Sequence, residues 1–434
     1  MSRRKFLWLT SLSVSGFIAG CAINPVSGKS QLMLISESKE IEIDKQNSPH
    51  QFSTDYGALQ DKKLNDYIEL TGKKIAARTH RPNLPYSFRG VNATYINAYA
   101  FPGGSIAVTR GMLLKLENEA ELAALLGHEI GHVNARHTAG QMSRGMLTQV
   151  IVVSASAYAG LKNPKYSELA AALGMIGSGA LLASYSRNNE READSLGMEY
   201  MVASGYSSKG MVGLMTILKG LSKHKPTMTE LLFATHPMSD ERYETAVSSA
   251  ESKYAATRAL PLNRQRFMDH TANLRKIKGA IQAIQEGESA MARKEYPKAE
   301  THFKTALQQA PDDYAALVLM SKCLLAQKKN AAALRYAEQA KKTYPNEAQA
   351  IHLSGFSKIK KKNFEAAYDE FTAYDNLLPG NPNTLFFKGL ALEGMHQYKA
   401  AANSYNQYLQ MVNQGDQAKY SYGRLVKWGY LKPE

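Results

Sequence analysis

The sequence is poor in cysteine, which limits the disulfides that the fold can contain. Cys21 and Cys323 are the only two cysteines among 434 residues. If Cys21 carries a lipid, as its surroundings suggest below, no intramolecular disulfide can form, even in an oxidising compartment. Cys323 is then interpreted as a small buried residue. We therefore expect a fold without disulfides.

The sequence also lacks a hydrophobic run of membrane-spanning length. Its most apolar segments, 146–161 and 169–183, fall short of the roughly 20 residues that a transmembrane helix requires. We interpret them as two buried or amphipathic helices. The alternative is a hydrophobic patch that touches lipid or unfolded substrate. Their length and their glycine and serine content disfavour a membrane-embedded protein.

The charge has one dominant sign, with 53 Lys and Arg against 38 Asp and Glu and a net charge of +15. Residues 280–434 hold 20 basic and 15 acidic residues, so +5 lies there and +10 lies in the rest. A diffuse excess of this kind favours anionic surfaces. The sequence contains no nucleic-acid-binding motif, so we predict no nucleic-acid partner and consider an anionic membrane surface more plausible.

The N-terminal stretch "MSRRKFLWLTSLSVSGFIAGC" has a basic start and a short apolar segment that ends before a cysteine. Residues 1–20 resemble a bacterial lipoprotein signal peptide, with Cys21 as the lipidated residue. The pair Arg3-Arg4 also resembles the twin-arginine export signal, and the general export route stays open. Ala22 after the cysteine favours the outer membrane by the lipoprotein rule of thumb. We predict a lipid-anchored periplasmic protein at the inner leaflet of the outer membrane.

The pattern of apolar residues predicts a mainly helical protein with a small β-sheet. Apolar positions at helical spacing predict a helix within residues 60–78. Alternating and β-branched residues predict strands around 86–101 and 105–109, separated by the turn signal Pro102-Gly103-Gly104. Further helices are predicted over 119–137, 145–160 and 167–203.

The C-terminal part repeats with a period of 34 residues. Four columns share this period: Gly287, Ser321, Gly355 and Gly389; Ala299, Ala333, Ala367 and Ala401; Phe303, Ala337, Phe371 and Tyr405; Pro311, Pro345, Pro379 and Asn413. Small residues at fixed positions let two helices pack closely, and the proline ends each pair. The pattern resembles tetratricopeptide repeats, which stack into a superhelix with a protein-binding groove. We assign 280–434 to four repeats and a capping helix, after a polar linker over 255–278.

The stretch "GHEIGH" indicates metal chemistry. His128 and His132 are four residues apart, so on a helix they share one face and can bind one ion. Glu129 lies about 100° around the helix from His128. Zinc with three protein ligands keeps one position for water, and Glu129 would accept the proton of that water. His137 is about 140° off the ligand face, so we do not predict it as a ligand. The alternative is an amphipathic helix with surface histidines.

A zinc site of this kind needs a third ligand. The stretch "RNNEREAD" offers Glu190 and Asp194, which are four residues apart and share a helix face, whereas Glu192 points away. We interpret Glu190 as the ligand and Asp194 as a residue that orients a ligand histidine or a water. The alternative is a solvated charged helix with Arg187 and Arg191 as ion-pair partners.

The motif H-E-x-x-H, followed by E-x-x-A-D on a later helix, resembles the zinc metallopeptidases related to HtpX and to the CAAX prenyl proteases. The lipoprotein-type signal and the C-terminal repeats narrow this resemblance to the periplasmic BepA-like proteases. It implies an α+β zincin-type (gluzincin) domain, assigned to residues 21–265, with one Zn²⁺ per chain. It also implies His128, His132 and Glu190 as ligands, Glu129 as the base and Asp194 as an auxiliary group or proton donor.

Two neighbouring stretches complete the predicted site. "NAYAFPGG" is an edge strand that could pair with an extended substrate, with Asn97 holding the substrate backbone. In "THPMSDER" the resemblance suggests a loop over the active site, so His236 either stabilises the oxyanion or caps the zinc and keeps the enzyme quiet. Arg242 follows as an auxiliary residue. Ordinary structural roles for Asn97 and His236 remain the alternative.

These features predict a zinc endopeptidase that degrades misfolded or stalled outer-membrane proteins in the periplasm. The repeats would recruit substrate or dock onto an outer-membrane assembly complex. One alternative is a chaperone-like assembly scaffold that acts through its repeats while the protease is silent. Another is an amidase that cleaves peptidoglycan or small peptides.

Overall fold

The computed structural model describes residues 21–148, 185–222 and 230–432. The predicted signal peptide (1–20), most of the apolar segment 146–161 and all of 169–183 lie outside the described residues. Within the described part, no helix is long and apolar enough to cross a membrane. The predicted fold class is confirmed, because the protein is mainly helical with one small sheet beside a short hairpin.

The first elements form the hairpin and the three-stranded sheet. Strands β1 (Cys21–Ile23) and β2 (Ser30–Leu32) pair antiparallel, and helices α1 (Glu37–Thr54) and α2 (Lys62–Ala76) follow. The sheet has the order β3–β5–β4, where β3 (Ser87–Val91) is parallel and β4 (Ala98–Ala100) antiparallel to β5 (Ser105–Thr109). Phe88 faces Ile106 in the register, and Tyr99 faces Ala107.

The single strand region predicted around 86–101 is therefore two strands. Residues 92–97 leave the sheet between them. The side-chain amide of Asn92 donates to the carbonyls of Tyr56 at 2.9 Å and Ala58 at 3.0 Å, which ties this segment to the chain after α1. As a result β4 is an edge strand of the sheet, next to the helix Glu119–Asn134.

The helices of the first half surround this sheet. They are α3 (Arg110–Leu113), α4 (Glu119–Asn134), α5 (His137–Thr148), α6 (Arg187–Ala203), α7 (Lys209–Ser222), α8 (Glu230–Thr235), α9 (Asp240–Glu251), a 3₁₀ turn (Ala255–Ala259), α10 (Arg264–His270) and α11 (Ala272–Lys276). Asn118 caps α4 by accepting from the backbone N–H of Glu121, and Ser186 caps α6.

The helix predicted over 119–137 is shorter than expected. It ends at Asn134 because Arg136 takes a left-handed conformation, with φ of 56°. The Arg136 side chain compensates with hydrogen bonds to Glu40 at 3.0 Å and to the Ile35 carbonyl at 2.6 Å. Helix α5 then starts at His137, earlier than the predicted residue 145. The described part of the helix predicted over 167–203 starts at Arg187.

The segment 255–278 is folded rather than a loose linker. Phe267 is fully buried, and Arg266 forms an ion pair with Glu119 at the start of α4. Polarity alone was misleading here, because arginines of this segment form ion pairs with residues of the N-terminal half, as Arg264 does with Glu117. The boundary between the units 21–265 and 280–434 stays a prediction.

The C-terminal half consists of paired helices, as the period predicts. They are α12 (Lys278–Ala292), α13 (Tyr296–Gln309), α14 (Tyr314–Ala326), α15 (Asn330–Thr343), α16 (Ala348–Lys360), α17 (Phe364–Leu377), α18 (Pro382–Gly394), α19 (Tyr398–Met411) and a last helix, α20 (Asp416–Lys427). A Cβ at Gly287 would overlap the ring of Phe303, and one at Gly389 the ring of Tyr405. The small-residue column is therefore needed where the two helices of a pair touch.

The repeats dock onto the N-terminal half of the chain through buried polar contacts. Arg110, at the start of α3, forms a bidentate ion pair with Asp313. Its Nη1 lies 2.5 Å from Oδ2, and its Nη2 lies 3.2 Å from Oδ1. The two side chains are only 2% and 4% exposed. Tyr56, after α1, packs into the hydrophobic core of the repeats. These contacts hold the repeats against the sheet beside α4.

We expect Arg110→Met to destabilise this interface by about 3–5 kcal/mol, because Asp313 would be left as a buried charge without its partner. The measurement is the free energy of unfolding in urea. Arg264→Met is the matched control, because its ion pair with Glu117 is 64% and 54% exposed and is expected to contribute less than about 1 kcal/mol. Equal effects of both substitutions would contradict the prediction.

Candidate metal centre

Helix α4 presents the residues of the H-E-x-x-H motif inside the protein. His128 is 4% exposed, and Glu129 and His132 are each 1% exposed. The alternative of surface histidines is therefore excluded. Buried imidazole and carboxylate groups require partners, since leaving them without hydrogen bonds or a metal is costly.

Glycines bring α4 and α6 unusually close together. A Cβ at Gly127 would lie 2.8 Å from the carbonyl oxygen of Gly197, and one at Gly131 would lie 2.9 Å from that of Ala193. A Cβ at Gly197 would lie 2.7 Å from the backbone nitrogen of His128. Because the two backbones pack directly against each other at this crossing, side chains of α6 such as Glu190 lie close to the histidines of α4.

Four donor atoms converge at the crossing. His128 Nε2 and His132 Nε2 lie 3.0 Å apart, and Glu190 Oε1 lies 3.3 Å from His132 Nε2. His236, directly after α8, places Nδ1 at 3.1 Å from Glu190 Oε1 and 3.4 Å from His128 Nε2. One ligand atom from each of these four residues lies within 4.8 Å of the others. Glu190 is fully buried, which excludes the alternative of a solvated charged helix at this position.

The donor spacing fits zinc. Ligands of one tetrahedral Zn²⁺ lie about 3.3 Å apart, given bond lengths of about 2.0–2.1 Å. Two imidazole nitrogens at 3.0 Å can share a hydrogen bond when one ring donates, and they can equally bind one metal ion when both are acceptors. Glu129 Oε2 has no hydrogen-bond partner among the described residues, so it is available to a water or substrate at the same point.

A second layer of side chains orients the donors. Asp194 Oδ1 lies 2.9 Å from His128 Nδ1, on the side of the ring opposite the cluster. Arg242 donates two hydrogen bonds of 2.7 Å to the same carboxylate, and its Nη1 atom lies 2.6 Å from Glu190 Oε2. Arg242 therefore contacts the carboxylates of Asp194 and of the candidate ligand Glu190 from α9. Such outer partners fix ring orientation and tautomer.

Two residues at the site were missed by sequence reasoning. His137, which we did not predict as a ligand, places Nδ1 at 2.9 Å from His132 Nδ1, and its Nε2 lies 3.1 Å from Glu192. Tyr185 stacks on the ring of His132, with centroids 3.7 Å apart. The break at Arg136 turns His137 back towards the ligand, and no spacing signal in the sequence indicates either contact.

Asn97 does not join the cluster in this structure. Its backbone N–H and carbonyl both pair with Thr109, which fixes the start of β4 against β5. Its side chain is fully buried, and neither amide atom has a hydrogen-bond partner among the described residues. The structure thus gives Asn97 a place in the sheet, and its predicted contact with a substrate backbone stays a prediction.

The electrostatics of the site suit metal binding. Burial lowers the pKa of His132 well below its usual range, so the imidazole is neutral. Burial alone would raise the pKa of Glu190, yet His236 and His132 hold it well below its usual range. A neutral imidazole and an ionised carboxylate are the ligand forms that zinc requires. Burial raises the pKa of Glu129, against the opposing effect of His236 and His128, which favours a proton acceptor.

Comparison with known proteins finds a family model that is similar to the region holding this site. The model of Peptidase family M48 matches residues 62–250, which include all four donors. This part of the chain is therefore similar to Peptidase family M48. A second model, Tetratricopeptide repeat, matches residues 290–354. The predicted resemblance, the enzyme class of zinc metalloendopeptidase and the zinc cofactor are confirmed.

Several curated proteins are similar to the chain. The "Beta-barrel assembly-enhancing protease" of Yersinia pestis is 27% identical over 80% of this chain and 76% of its own length. The "Putative beta-barrel assembly-enhancing protease" of Vibrio cholerae is 27% identical over 61% of this chain, and the match spans 59% of that relative. "Metalloprotease YcaL" of Escherichia coli is 29% identical over 46% of this chain and 72% of its own length.

Proposed function

We propose that this protein is a zinc endopeptidase that degrades misfolded or stalled outer-membrane proteins in the periplasm. The observation that carries the proposal is the buried donor set of His128, His132 and Glu190 beside the unpaired carboxylate oxygen of Glu129. Zinc held by these residues supplies an acidified water and a polarised substrate carbonyl. The remaining steps belong to side chains of the protein.

Glu129 is the proton carrier in this proposal. Its carboxylate accepts a proton from the attacking water and passes it to the leaving amine of the cleaved peptide. Asp194 was expected to act as an auxiliary group or to orient a ligand. Arg242 and His128 engage both of its carboxylate oxygens, so we assign it the orienting role.

Strand β4 is the proposed substrate-binding edge. It pairs with β5 on one side and packs against α4, and no strand of the described residues pairs with its other side. An extended peptide that adds to this edge would be held through backbone hydrogen bonds with little sequence selectivity. That property suits unfolded chains, which expose free backbone.

His236 completes a set of four protein donors. A zinc site with four protein ligands is closed to water, whereas a catalytic site keeps one position open. We therefore infer that His236 keeps the protease inactive until the segment between α8 and α9 moves. This favours, as a second candidate function, an assembly scaffold that works through its repeats while the protease is mostly silent.

The names of the relatives support the choice of substrates and compartment. The Yersinia pestis and Vibrio cholerae relatives are named for β-barrel assembly, and we extend this link with outer-membrane protein assembly to the present chain. The lipoprotein-type signal supports a lipid anchor on Cys21 at the outer membrane, reached by twin-arginine or general export. Recruitment of substrate or of an assembly complex is assigned to the repeats.

The proposal predicts cleavage of unfolded casein by the purified protein and no cleavage of muropeptides. A zinc chelator is expected to abolish the activity, and added Zn²⁺ is expected to restore it. The readout is the appearance of casein fragments and of free muropeptide amines over time. Turnover of muropeptides without casein cleavage would favour the amidase alternative and would refute the endopeptidase proposal.

A further inference from the structure

The stacked repeats present equivalent residues on one face of the array. Glu288, Lys322, Phe356, Leu390 and Arg424 follow one another at intervals of 34 residues, one in the first helix of each pair and the last in α20. Because the repeats stack by translation, these residues form one column along the array. The residues that cover this column at one end therefore indicate which chemical groups can bind at the other end.

The catalytic half covers the N-terminal end of this column. Tyr56 Oη donates to Glu288 Oε1 at 3.3 Å, and the ring of Tyr56 lies 5.3 Å from Lys322 Nζ. Gln349, in the third repeat, donates from its side-chain amide to the backbone carbonyls of Ser53 and, at 3.1 Å, Thr54. Residues 53–56 of the chain itself thus occupy the first three repeats, and Tyr56 is the buried aromatic residue of this segment.

Among the residues that the structure describes, the C-terminal end of the column is open and forms an aromatic pocket with a volume of about 430 Å³. We call it the aromatic pocket, and its walls include Phe364, Leu390, Tyr398, Tyr420 and Trp428. Tyr398 is 45% exposed and Tyr420 is 40% exposed, so large apolar surface faces solvent here. Exposed aromatic surface gathered in a concavity marks a binding site for a large apolar group.

The charge at the base of the aromatic pocket is compensated within the protein. The carboxylate of Glu393 accepts hydrogen bonds from Tyr405 Oη at 2.9 Å and Tyr420 Oη at 3.2 Å. It also pairs with Arg424, whose Nε has no hydrogen-bond partner among the described residues. The base therefore offers a donor but no free negative charge.

One lysine lines the pocket, and three more are close in sequence to residues that line it. Lys427 is the lining residue, Lys361 and Lys362 lie in the turn between α16 and α17, and Lys399 follows the wall residue Tyr398; we call these four lysines the basic rim. All four side chains belong to exposed residues, and none of them forms an ion pair within the described part of the chain. Unpaired cations around an aromatic concavity complement an acidic ligand.

We propose that the aromatic pocket binds a segment of a partner protein in which an aromatic side chain is flanked by acidic residues. The aromatic side chain packs among Tyr398, Tyr420 and Trp428, as Tyr56 packs at the other end of the column. The flanking carboxylates face the basic rim. The inference rests on the proposed recruiting role of the repeats and is independent of proteolysis. A lipid surface would use the rim but not the concave aromatic walls.

Intrinsic fluorescence provides a direct test, because Trp428 and Trp8 are the only tryptophans. In the full chain carrying Trp8→Phe, emission reports Trp428 alone. We expect a saturable change on addition of a synthetic decapeptide with one tyrosine between glutamates. A peptide with lysines in place of the glutamates, and one with alanine in place of the tyrosine, are expected to bind at least about tenfold more weakly.

The double substitution Lys361→Glu/Lys427→Glu is expected to weaken binding of the acidic peptide by about tenfold or more. Both lysines are exposed, so folding is preserved. The matched control is Lys63→Glu/Lys276→Glu, which makes the same charge change on exposed residues of α2 and α11.

Equal binding of all three peptides, no response up to about 1 mM peptide, or equal effects of the two double variants would overturn the proposal. So would binding to anionic phosphatidylglycerol vesicles in place of the peptide. A failure of casein cleavage alone would count against the proposed protease function and would leave the aromatic pocket unaffected.

Discussion

Glu129→Gln is expected to reduce the cleavage rate of unfolded casein by about 10²–10⁴-fold, because the amide cannot accept the proton of the attacking water. The substitution keeps the size of the side chain, which is only 1% exposed. Glu129 is not one of the four clustered donors, so bound zinc is expected to stay at one ion per chain. The measurement is kcat on casein together with metal analysis of the same sample.

Glu199→Gln is the matched control for this prediction. Glu199 lies on α6, is partly exposed and contacts none of the four donors of the site, so its loss of charge should leave kcat unchanged. The biological role has its own test: if Glu129→Gln rescues an envelope defect as well as the unchanged protein does, the scaffold function is favoured over degradation.

Glu190→Ala is expected to empty the metal site. The substitution removes the one carboxylate of the donor cluster and the group that lies 2.6 Å from Arg242. Without Glu190, the positive charge of the buried Arg242 guanidinium would be less compensated. This charge would then disfavour binding of a cation by the three remaining histidines. We expect zinc to fall from about one ion to less than about 0.1 per chain after dialysis, and casein cleavage to be lost.

His236→Ala provides the comparison that makes this result specific. Three donors remain in that variant, which is the number that a catalytic zinc site uses, so zinc is expected to stay bound. Unfolding curves of both variants in urea show whether either has lost its fold. Unchanged zinc in Glu190→Ala, or loss of zinc in His236→Ala with Glu190→Ala unaffected, would show that the third ligand is misassigned.

Local spacing explains which parts of the site were predictable. His128 and His132 share a face of α4 because residues four apart always do on a helix. Their shared orientation needed no knowledge of the fold. The 34-residue period likewise predicted paired helices, since each small residue marks a place where two helices touch.

Local spacing does not reach contacts made by separate segments. His137 was not predicted to matter, because its position was measured along one continuous helix, and the left-handed Arg136 breaks that helix. Tyr185 contacts the ring of His132, although the two residues are 53 positions apart in the sequence. The folding of 255–278 was missed for the same reason, because the partner of Arg266 lies on α4.

The sequence by itself determined a helical protein with a two-histidine motif, a nearby glutamate and a stack of four repeats. Each of these depends on periodicity, which is set by backbone geometry within one segment. The tertiary structure alone decided that α6 crosses α4 at glycines and brings Glu190 to His132, although the two residues are 58 apart in sequence. It also decided that the repeats dock through Arg110 and Tyr56 while the aromatic pocket stays open, because packing between distant segments selects which faces are covered.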